Sequence, residues 1–132
     1  MSLTLDQQRA AYAWKCASAV MNHARGEKER KEYKEYKALA KGAPALIMNS
    51  GLMPTLAFYN HKGGSAELLL EHLLAGLSQR LCPNSGPLNF AEFMRYLQDC
   101  DSQTYMRFTD EALEILKWIR QFVDAVDAGE QS

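Results

Sequence analysis

Residues 37–62 read KALAKGAPALIMNSGLMPTLAFYNHK, a stretch in which glycine, proline, basic and apolar residues are closely spaced. Strong helix formers precede it from residue 27 onward, with opposite charges recurring four positions apart. Such spacing places ion pairs one turn apart on a helix, so the sequence predicts a long charged helix that leads into the stretch. Gly42 is predicted to end this helix, and Pro44 to begin a short helical segment that ends at residues 49–51.

Apolar residues at three- and four-residue spacing predict helices on both sides of this stretch. Thr4 or Asp6 is placed to cap a first helix, and Gly26 is placed to end it. Downstream, the pattern predicts a short helix from residue 52 to about residue 62 and a leucine-rich helix over residues 66–81.

The later helices are predicted from their caps. Ser65 is placed to cap the leucine-rich helix. Asn89, with Glu92 three residues later, has the pattern of a capping box at the start of the next helix. A short turn is predicted over residues 103–107, and Thr109, which two acidic residues follow, is predicted to begin the last helix.

The sequence predicts a fold without strands, because no stretch alternates polar and apolar residues with a period of two. The clearest loop is residues 82–87, and no internal repeat or long linker divides the chain. A chain of 132 residues is long enough to bury one core. We therefore predict an all-α fold, a compact single-domain bundle of about six helices that covers residues 1–132.

The composition predicts a cytoplasmic protein. Apolar residues make up 47% of the chain and charged residues 23%, as in ordinary globular domains. The apolar runs are far shorter than the roughly 18 residues of a membrane helix, and the first residues lack the order of a secretory signal. Cys16, Cys82 and Cys100 are an odd number without Cys-x-x-Cys spacing, so neither a disulfide framework nor a zinc site is expected.

The charges are distributed unevenly along the chain. Residues 1–62 contain ten basic and five acidic residues, a net charge of +5, whereas residues 63–132 contain five and eleven, a net charge of −6. This split indicates that one end of the protein meets an anionic partner, or that two interleaved halves together keep the surface soluble.

The sequence contains no pattern typical of an active site. His23, His61 and His72 are scattered, without the spacing of paired metal ligands. Residues 62–65 superficially resemble a phosphate-binding loop but lack its order of residues, and no local pattern pairs a serine, threonine or cysteine with a base. We therefore expect no catalytic residue, no metal and no cofactor.

One pattern does indicate binding. Arg30, Lys34, Lys37 and Lys41 follow one another at steps of four, three and four, which places them on one face of the charged helix. Such a basic row can lie along a phosphate backbone. The same pattern is also typical of a solvated helix face with compensating glutamates, and the row alone does not decide between the two.

Two groups of residues carry a resemblance to a known family. The first comprises Leu39-Ala40-Lys41, Pro44-Ala45-Leu46-Ile47-Met48-Asn49-Ser50-Gly51-Leu52 and Thr55-Leu56-Ala57-Phe58, and the second comprises Tyr105, Thr109, Glu111-Ala112-Leu113, Leu116-Lys117-Trp118-Ile119 and Phe122. In their order and spacing, the residues from 9 to 126 resemble the small subunit of the type III-B CRISPR effector, the Cmr complex.

The resemblance implies a compact all-helical protein without an active site. In that family, copies of the small subunit stack beside the filament of backbone subunits that holds the guide RNA, and they line the groove in which target RNA pairs with the guide. Target cleavage belongs to the backbone subunit, and DNA cleavage and cyclic oligoadenylate synthesis belong to the large subunit. The implied role is a structural subunit in antiviral defence, whose partners are the backbone and large subunits, further copies of itself, guide RNA and target RNA.

The resemblance also favours phosphate binding by the basic row, independent of base sequence because the guide reads the target. The residues expected to bind nucleic acid are Arg30, Lys34, Lys37 and Lys41, with Lys62, Lys117 and Arg120 as secondary candidates. The acidic half is expected to meet basic surfaces of neighbouring subunits through Asp110, Glu111 and Glu114.

Contacts between copies are expected at exposed apolar residues, for which Met53 and Tyr59 are candidates. The alternative to an effector subunit is a stand-alone helical protein-interaction module or regulator, which would bind a peptide in an apolar groove and have no RNA role. The two hypotheses differ in whether the protein joins the other effector subunits.

Overall fold

The computed structural model of the protein describes residues 3–86 and 88–131, with the side chains of these residues up to Val126. In these residues it contains six α-helices and no strand, which confirms the predicted all-α fold. The helices are α1 (Leu5–His23), α2 (Glu27–Ser50), α3 (Leu52–Lys62), α4 (Ser65–Leu81), α5 (Phe90–Asp99) and α6 (Ser102–Gln131). None of these described helices is long and apolar enough to cross a membrane.

The first helix, α1, packs along the longest helix, α6. Arg9 of α1 meets Glu111 of α6, and further along both helices Trp14 meets Phe122. Because the later residue of α1 contacts the later residue of α6, the two helices run in the same direction.

On another side of α6, α2 runs in the opposite direction. Lys41 of α2 pairs with Asp124 late in α6, whereas Met53, just beyond the end of α2, donates its backbone N–H to the Tyr105 hydroxyl early in α6. The bundle is completed by α4, which packs against α2, α3 and α6, and by α5, which contacts α3.

A hydrophobic core cluster draws residues from all six helices. Its largest fully buried side chains include Tyr36 of α2, Tyr59 of α3, Phe93 of α5 and Phe108 of α6. The Phe93 and Phe108 rings meet edge to face with their centroids 5.5 Å apart, which holds the short helix α5 against α6. The burial of Tyr59 means that it is not an exposed candidate for contacts between copies, so that prediction is wrong.

The second helix continues through Gly42 and Pro44, so the prediction that Gly42 ends it is wrong. Pro44 has no N–H to donate to the Ala40 carbonyl, a loss that is disfavoured inside a helix. Ala40, Ala43 and Ile47 are nevertheless buried on both sides of the proline. This apolar face remains in register with the core only if the helix continues, and tertiary packing therefore overrides the local breakers.

The last helix also begins earlier than predicted. The Asp101 carboxylate accepts a hydrogen bond of 2.7 Å from the backbone N–H of Thr104, and α6 then continues without a break through the predicted turn. Thr109 lies inside the helix and donates its hydroxyl to the Tyr105 carbonyl at 3.1 Å. A threonine that bonds back to the preceding turn is tolerated within a helix, so its propensity to cap was misleading here.

Of the other residues predicted to cap the start of a helix, two are confirmed and one is wrong. Thr4 caps α1 with Gln7 as its capping-box partner, and Asn89 caps α5 with Glu92. Ser65 is the first residue of α4, and its hydroxyl donates to the Glu32 carbonyl at 3.1 Å instead of capping the helix. The loop after α4 is confirmed in its described residues, and Pro87 lies outside them.

A buried ion pair joins α1 to α6. The Arg9 guanidinium donates two hydrogen bonds of 2.8 Å to the Glu111 carboxylate, and only 6% of the Glu111 side chain is exposed. The Glu111 carboxylate raises the pKa of Arg9, and Arg80 of α4 approaches the same carboxylate at 3.8 Å. Glu111 therefore stabilises the fold and is not exposed to a neighbouring subunit, so its predicted interface role is wrong.

Tyrosine hydroxyls connect α1 and α2 to the middle of α4. Tyr12 donates its hydroxyl to the His72 carbonyl, and the Tyr36 hydroxyl is hydrogen-bonded to His72 Nδ1 at 2.7 Å. Burial lowers the pKa of His72 to about 4, so the imidazole is neutral at physiological pH. Gly76, one turn after His72, is required here, because a Cβ at that position would lie 2.7 Å from the Tyr12 ring.

Replacing the buried carboxylate, Glu111→Gln, is expected to lower the free energy of unfolding by about 3 kcal/mol, because it leaves the Arg9 guanidinium without its counter-charge. The free energy of unfolding is measured by urea denaturation followed by circular dichroism. Glu114→Gln is the matched control, since Glu114 is more exposed and lies 4.0 Å from Arg9. It should cost less than about 1 kcal/mol, and equal losses in the two variants would contradict a structural role for Glu111.

Stability should fall as the pH is lowered from about 6.5 to about 4. The unfolded chain gains a proton on His72 as the pH passes about 6.5, whereas the folded protein gains it only near 4, so acid favours unfolding by up to about 3 kcal/mol in total. His72→Gln should flatten this part of the pH profile of the unfolding free energy. His61→Gln, at an exposed position, is the matched control, and an unchanged profile in His72→Gln would rule out the assignment.

Candidate nucleic-acid interface

The predicted basic row lies on one side of α2. The side of α2 that faces the core buries Tyr33, Tyr36 and Ala40, as the spacing of the sequence predicts. The row itself comprises Arg30, Lys34, Lys37 and Lys41, of which Arg30, Lys34 and Lys41 are exposed and Lys37 is half-buried. The helix thus separates a packed side from a basic side along most of its length.

The two later lysines of the row point toward α6. Lys37 Nζ and Lys41 Nζ each lie 3.0 Å from the carboxylate of Asp124, and Lys41 reaches both of its oxygens. Hydrogen bonds from Lys37 and Lys41 hold the pKa of Asp124 below its usual range. Asp124 is therefore ionised at neutral pH and neutralises one of the two lysine charges.

The fold adds Arg120 to this side of the molecule. Arg120 is exposed and lies one turn before Asp124 on α6, so the two residues share a side of that helix. We call this surface the basic face; it comprises Arg30, Lys34, Lys37, Lys41 and Arg120. It spans two packed helices, whose core contacts fix its shape.

The other two secondary candidates make their contacts outside the basic row. Lys117 Nζ lies 3.7 Å from the Glu114 carboxylate and 5.7 Å from the centre of the Trp118 ring. Lys62 Nζ lies 6.0 Å from the centre of the Phe58 ring, and Lys62 lines a groove between α2 and α3. The structure therefore brings Arg120 to the predicted row but not Lys62.

The charge split between the two halves of the sequence is not a split between two surfaces. The helices interleave, and long-range ion pairs link the basic half to the acidic half at Arg9–Glu111 and at Lys37 and Lys41 with Asp124. Sequence reasoning did not identify Asp124, because it is 83 residues from Lys41 in the chain and no local pattern connects them.

The basic face consists of charged side chains. The described residues contain no group of three or more histidine, cysteine or acidic side chains that could hold a metal ion. At the start of α4, the Ser65 hydroxyl lies 3.4 Å from the Glu35 carboxylate, and this negative charge disfavours an anion at that helix end. The geometry of the basic face fits the binding of phosphate groups.

Both tryptophans of the chain lie at the contact between α1 and α6. Trp14 meets Phe122 edge to face with ring centroids 5.1 Å apart, and Trp118 packs on the same ring at 5.7 Å. Trp14 is about half exposed, whereas Trp118 is largely covered. This aromatic cluster lies on the side of α6 that faces α1 and so apart from the lysines of α2.

Comparison with known proteins agrees with this architecture. Residues 5–126 match the model of the family described as CRISPR-associated protein (Cas_Cmr5). The chain is also similar to a solved structure, the crystal structure of a CRISPR-associated Cmr5 family protein from Thermus thermophilus. That similarity has a TM-score of 0.70 at 26% identity and covers 93% of this chain and 97% of the other.

Two curated proteins support the same relationship. The sequence is 28% identical over 113 residues to the CRISPR system Cmr subunit Cmr5 of Thermotoga maritima, a match that covers 80% of this chain and 78% of that protein. It is 27% identical over 115 residues to the CRISPR system Cmr subunit Cmr5 of Thermus thermophilus, which covers 87% and 91% respectively. The match to the family model over nearly the whole chain shows that this protein belongs to the CRISPR-associated Cmr5 family.

Proposed function

We propose that the chain is a non-catalytic small subunit of the Cmr complex, the type III-B CRISPR effector that uses a guide RNA in antiviral defence. In this proposal, residues 1–132 form a single helical domain that acts in the cytoplasm. It stacks along the filament of backbone subunits and turns its basic face toward the groove that holds guide and target RNA. Membership of the Cmr5 family supports the place in the complex.

The basic face is the observation that carries the RNA role. Arg30, Lys34 and Arg120 are exposed, and they lie on two long helices that the core holds rigidly. Because these helices are already rigid, the backbone that carries the side chains loses little further order when they meet a phosphate backbone. Their contacts would be to phosphates, so the subunit would hold RNA of any sequence while base pairing with the guide supplies specificity.

Contacts with neighbouring subunits are proposed at other parts of the surface. Met48 and Phe58 are exposed apolar side chains, and they replace the buried Tyr59 as candidates for stacking between copies. Asp110 is exposed on α6 and remains a candidate for contact with a basic neighbour. Backbone subunits, the large subunit and further copies of this chain are the proposed protein partners.

Reconstitution tests the proposal directly. When the protein is mixed with backbone subunits, the large subunit and guide RNA, native mass spectrometry should show it incorporated in a defined number of copies. Failure to join partners that assemble with a known Cmr5 protein would reject the proposal. That result would favour the alternative, a stand-alone helical interaction module without an RNA role.

Reversing two exposed charges of the basic face, Arg30→Glu with Lys34→Glu, should weaken target RNA binding by the reconstituted complex by at least about tenfold. The dependence of the binding constant on salt should also become shallower by about 1.5 in a log–log plot, because two fewer phosphates are neutralised and fewer counterions are released. Both are measured by titrating labelled target RNA at several salt concentrations.

The matched control is Lys28→Glu with Lys31→Glu, the same charge change made on the side of α2 that lines a groove with α1 and α4. This variant should bind target RNA nearly as the wild type does. Equal losses in the two variants would mean that net charge and not the basic face governs binding. Lys37 and Lys41 are kept, since a glutamate there would face Asp124 and disturb the packing of α2 on α6.

A further inference from the structure

Lys37 and Lys41 converge on a single anion. Their ammonium groups project from successive turns of α2, and both lie 3.0 Å from oxygens of the Asp124 carboxylate. The arrangement is open to solvent, since 52% of the Asp124 side chain and 43% of the Lys41 side chain are exposed. The two lysines therefore form a fork that already binds an oxyanion, which here is a side chain of the same protein.

We propose that this fork, Lys37 and Lys41, is a binding site for one phosphate of an RNA backbone, and that Asp124 fills it in the RNA-free protein. The proposal rests on the proposed function, because it assumes that RNA approaches the basic face. It adds to that function a specific phosphate position and an internal competitor for it.

A phosphate fits the fork for the same reasons that the carboxylate does. Lys41 reaches both oxygens of Asp124 and Lys37 reaches one of them, so the two ammonium groups already hold a pair of oxygens on one centre. A phosphodiester offers two unesterified oxygens on one phosphorus and carries one negative charge. Lysine binds such a group as a point charge and needs no planar match.

Displacement of Asp124 requires no unfolding. Asp124 is half exposed and its pair with Lys41 is open to solvent, so this contact is weak and is screened further by salt, whereas Lys37 is half-buried. The core residues Val123 and Ile119 hold this part of α6 in place, so the carboxylate can rotate away from the fork while the helix stays packed. Arg120, one turn earlier on the same helix, can hold a neighbouring phosphate as the exchange takes place.

The competitor lowers the affinity of the fork for RNA. While Asp124 is in place, its charge offsets one of the two lysine charges, and a phosphate has to replace contacts that the free protein already makes. Removing the carboxylate charge should therefore strengthen binding of RNA without adding any new contact to it.

The test uses the isolated full chain at low ionic strength, where phosphate contacts are strongest. Binding of a fluorescein-labelled, unstructured oligouridylate is measured by anisotropy. Asp124→Asn should bind it about fivefold more tightly than the wild type, the gain expected from releasing two ion pairs. Asp110→Asn makes the same charge change at another exposed position of α6 and should show a much smaller gain.

A double-mutant comparison ties the gain to the fork. In a Lys37→Gln, Lys41→Gln background, Asp124→Asn should no longer strengthen binding, because no lysine remains to be released. Equal gains from Asp124→Asn and Asp110→Asn, or a gain that persists in that background, would overturn the fork. Unchanged circular dichroism spectra and melting temperatures show in each case that the variant is folded.

The two proposals fail in different ways. If the Arg30→Glu, Lys34→Glu variant loses RNA while Asp124→Asn behaves as Asp110→Asn does, the fork is rejected and the RNA role of the basic face stands. If neither the wild type nor Asp124→Asn binds oligouridylate at low ionic strength, the fork is rejected whatever the complex does. If the reversal of Arg30 and Lys34 leaves target binding by the complex unchanged, the RNA role itself is rejected.

Discussion

The uninterrupted burial of one side of α2 is the constraint on which the rest of the structure depends. A helix of 24 residues is about 36 Å long, and this one continues through a glycine and a proline. Ala40, Ala43 and Ile47 pack into the core before and after Pro44, so a break would expose apolar surface on both sides of it. Because the helix does not break, it reaches along α6 from the contact of Lys41 with Asp124 to that of Met53 with Tyr105.

Opposite charges from distant parts of the chain set the electrostatics of the molecule. The buried pair of Arg9 and Glu111 fixes α1 against α6, whereas the exposed contacts of Asp124 adjust the charge of the basic face. The consequence of an ion pair thus depends on whether the pair is buried or exposed. A buried pair is costly to break, whereas an exposed pair exchanges readily with other ions.

Much of the fold could be predicted from the sequence, because helical periodicity and side-chain caps are local signals. The starts of α1 and α5 and the core side of α2 are examples. The continuity of α2 and α6 could not be predicted. Locally, Gly42 is typical of the end of a helix and Thr109 of the start of one, and only tertiary packing overrides these signals. For the site, the row on α2 was predictable by spacing, but Asp124 was not, because its contacts join residues that are remote in the chain.

The contact between α1 and α6 gives the protein an intrinsic fluorescence signal. Its two tryptophans, Trp14 and Trp118, both pack on Phe122, so all of the indole emission of the chain originates at that one contact. The wavelength of this emission depends on how well water is excluded there, whereas the far-ultraviolet spectrum depends on helix content. If α1 separated from α6 with both helices intact, the emission wavelength would thus shift while the far-ultraviolet circular dichroism spectrum stayed constant. The docking of α1 on α6 can therefore be followed separately from the formation of the α1 helix.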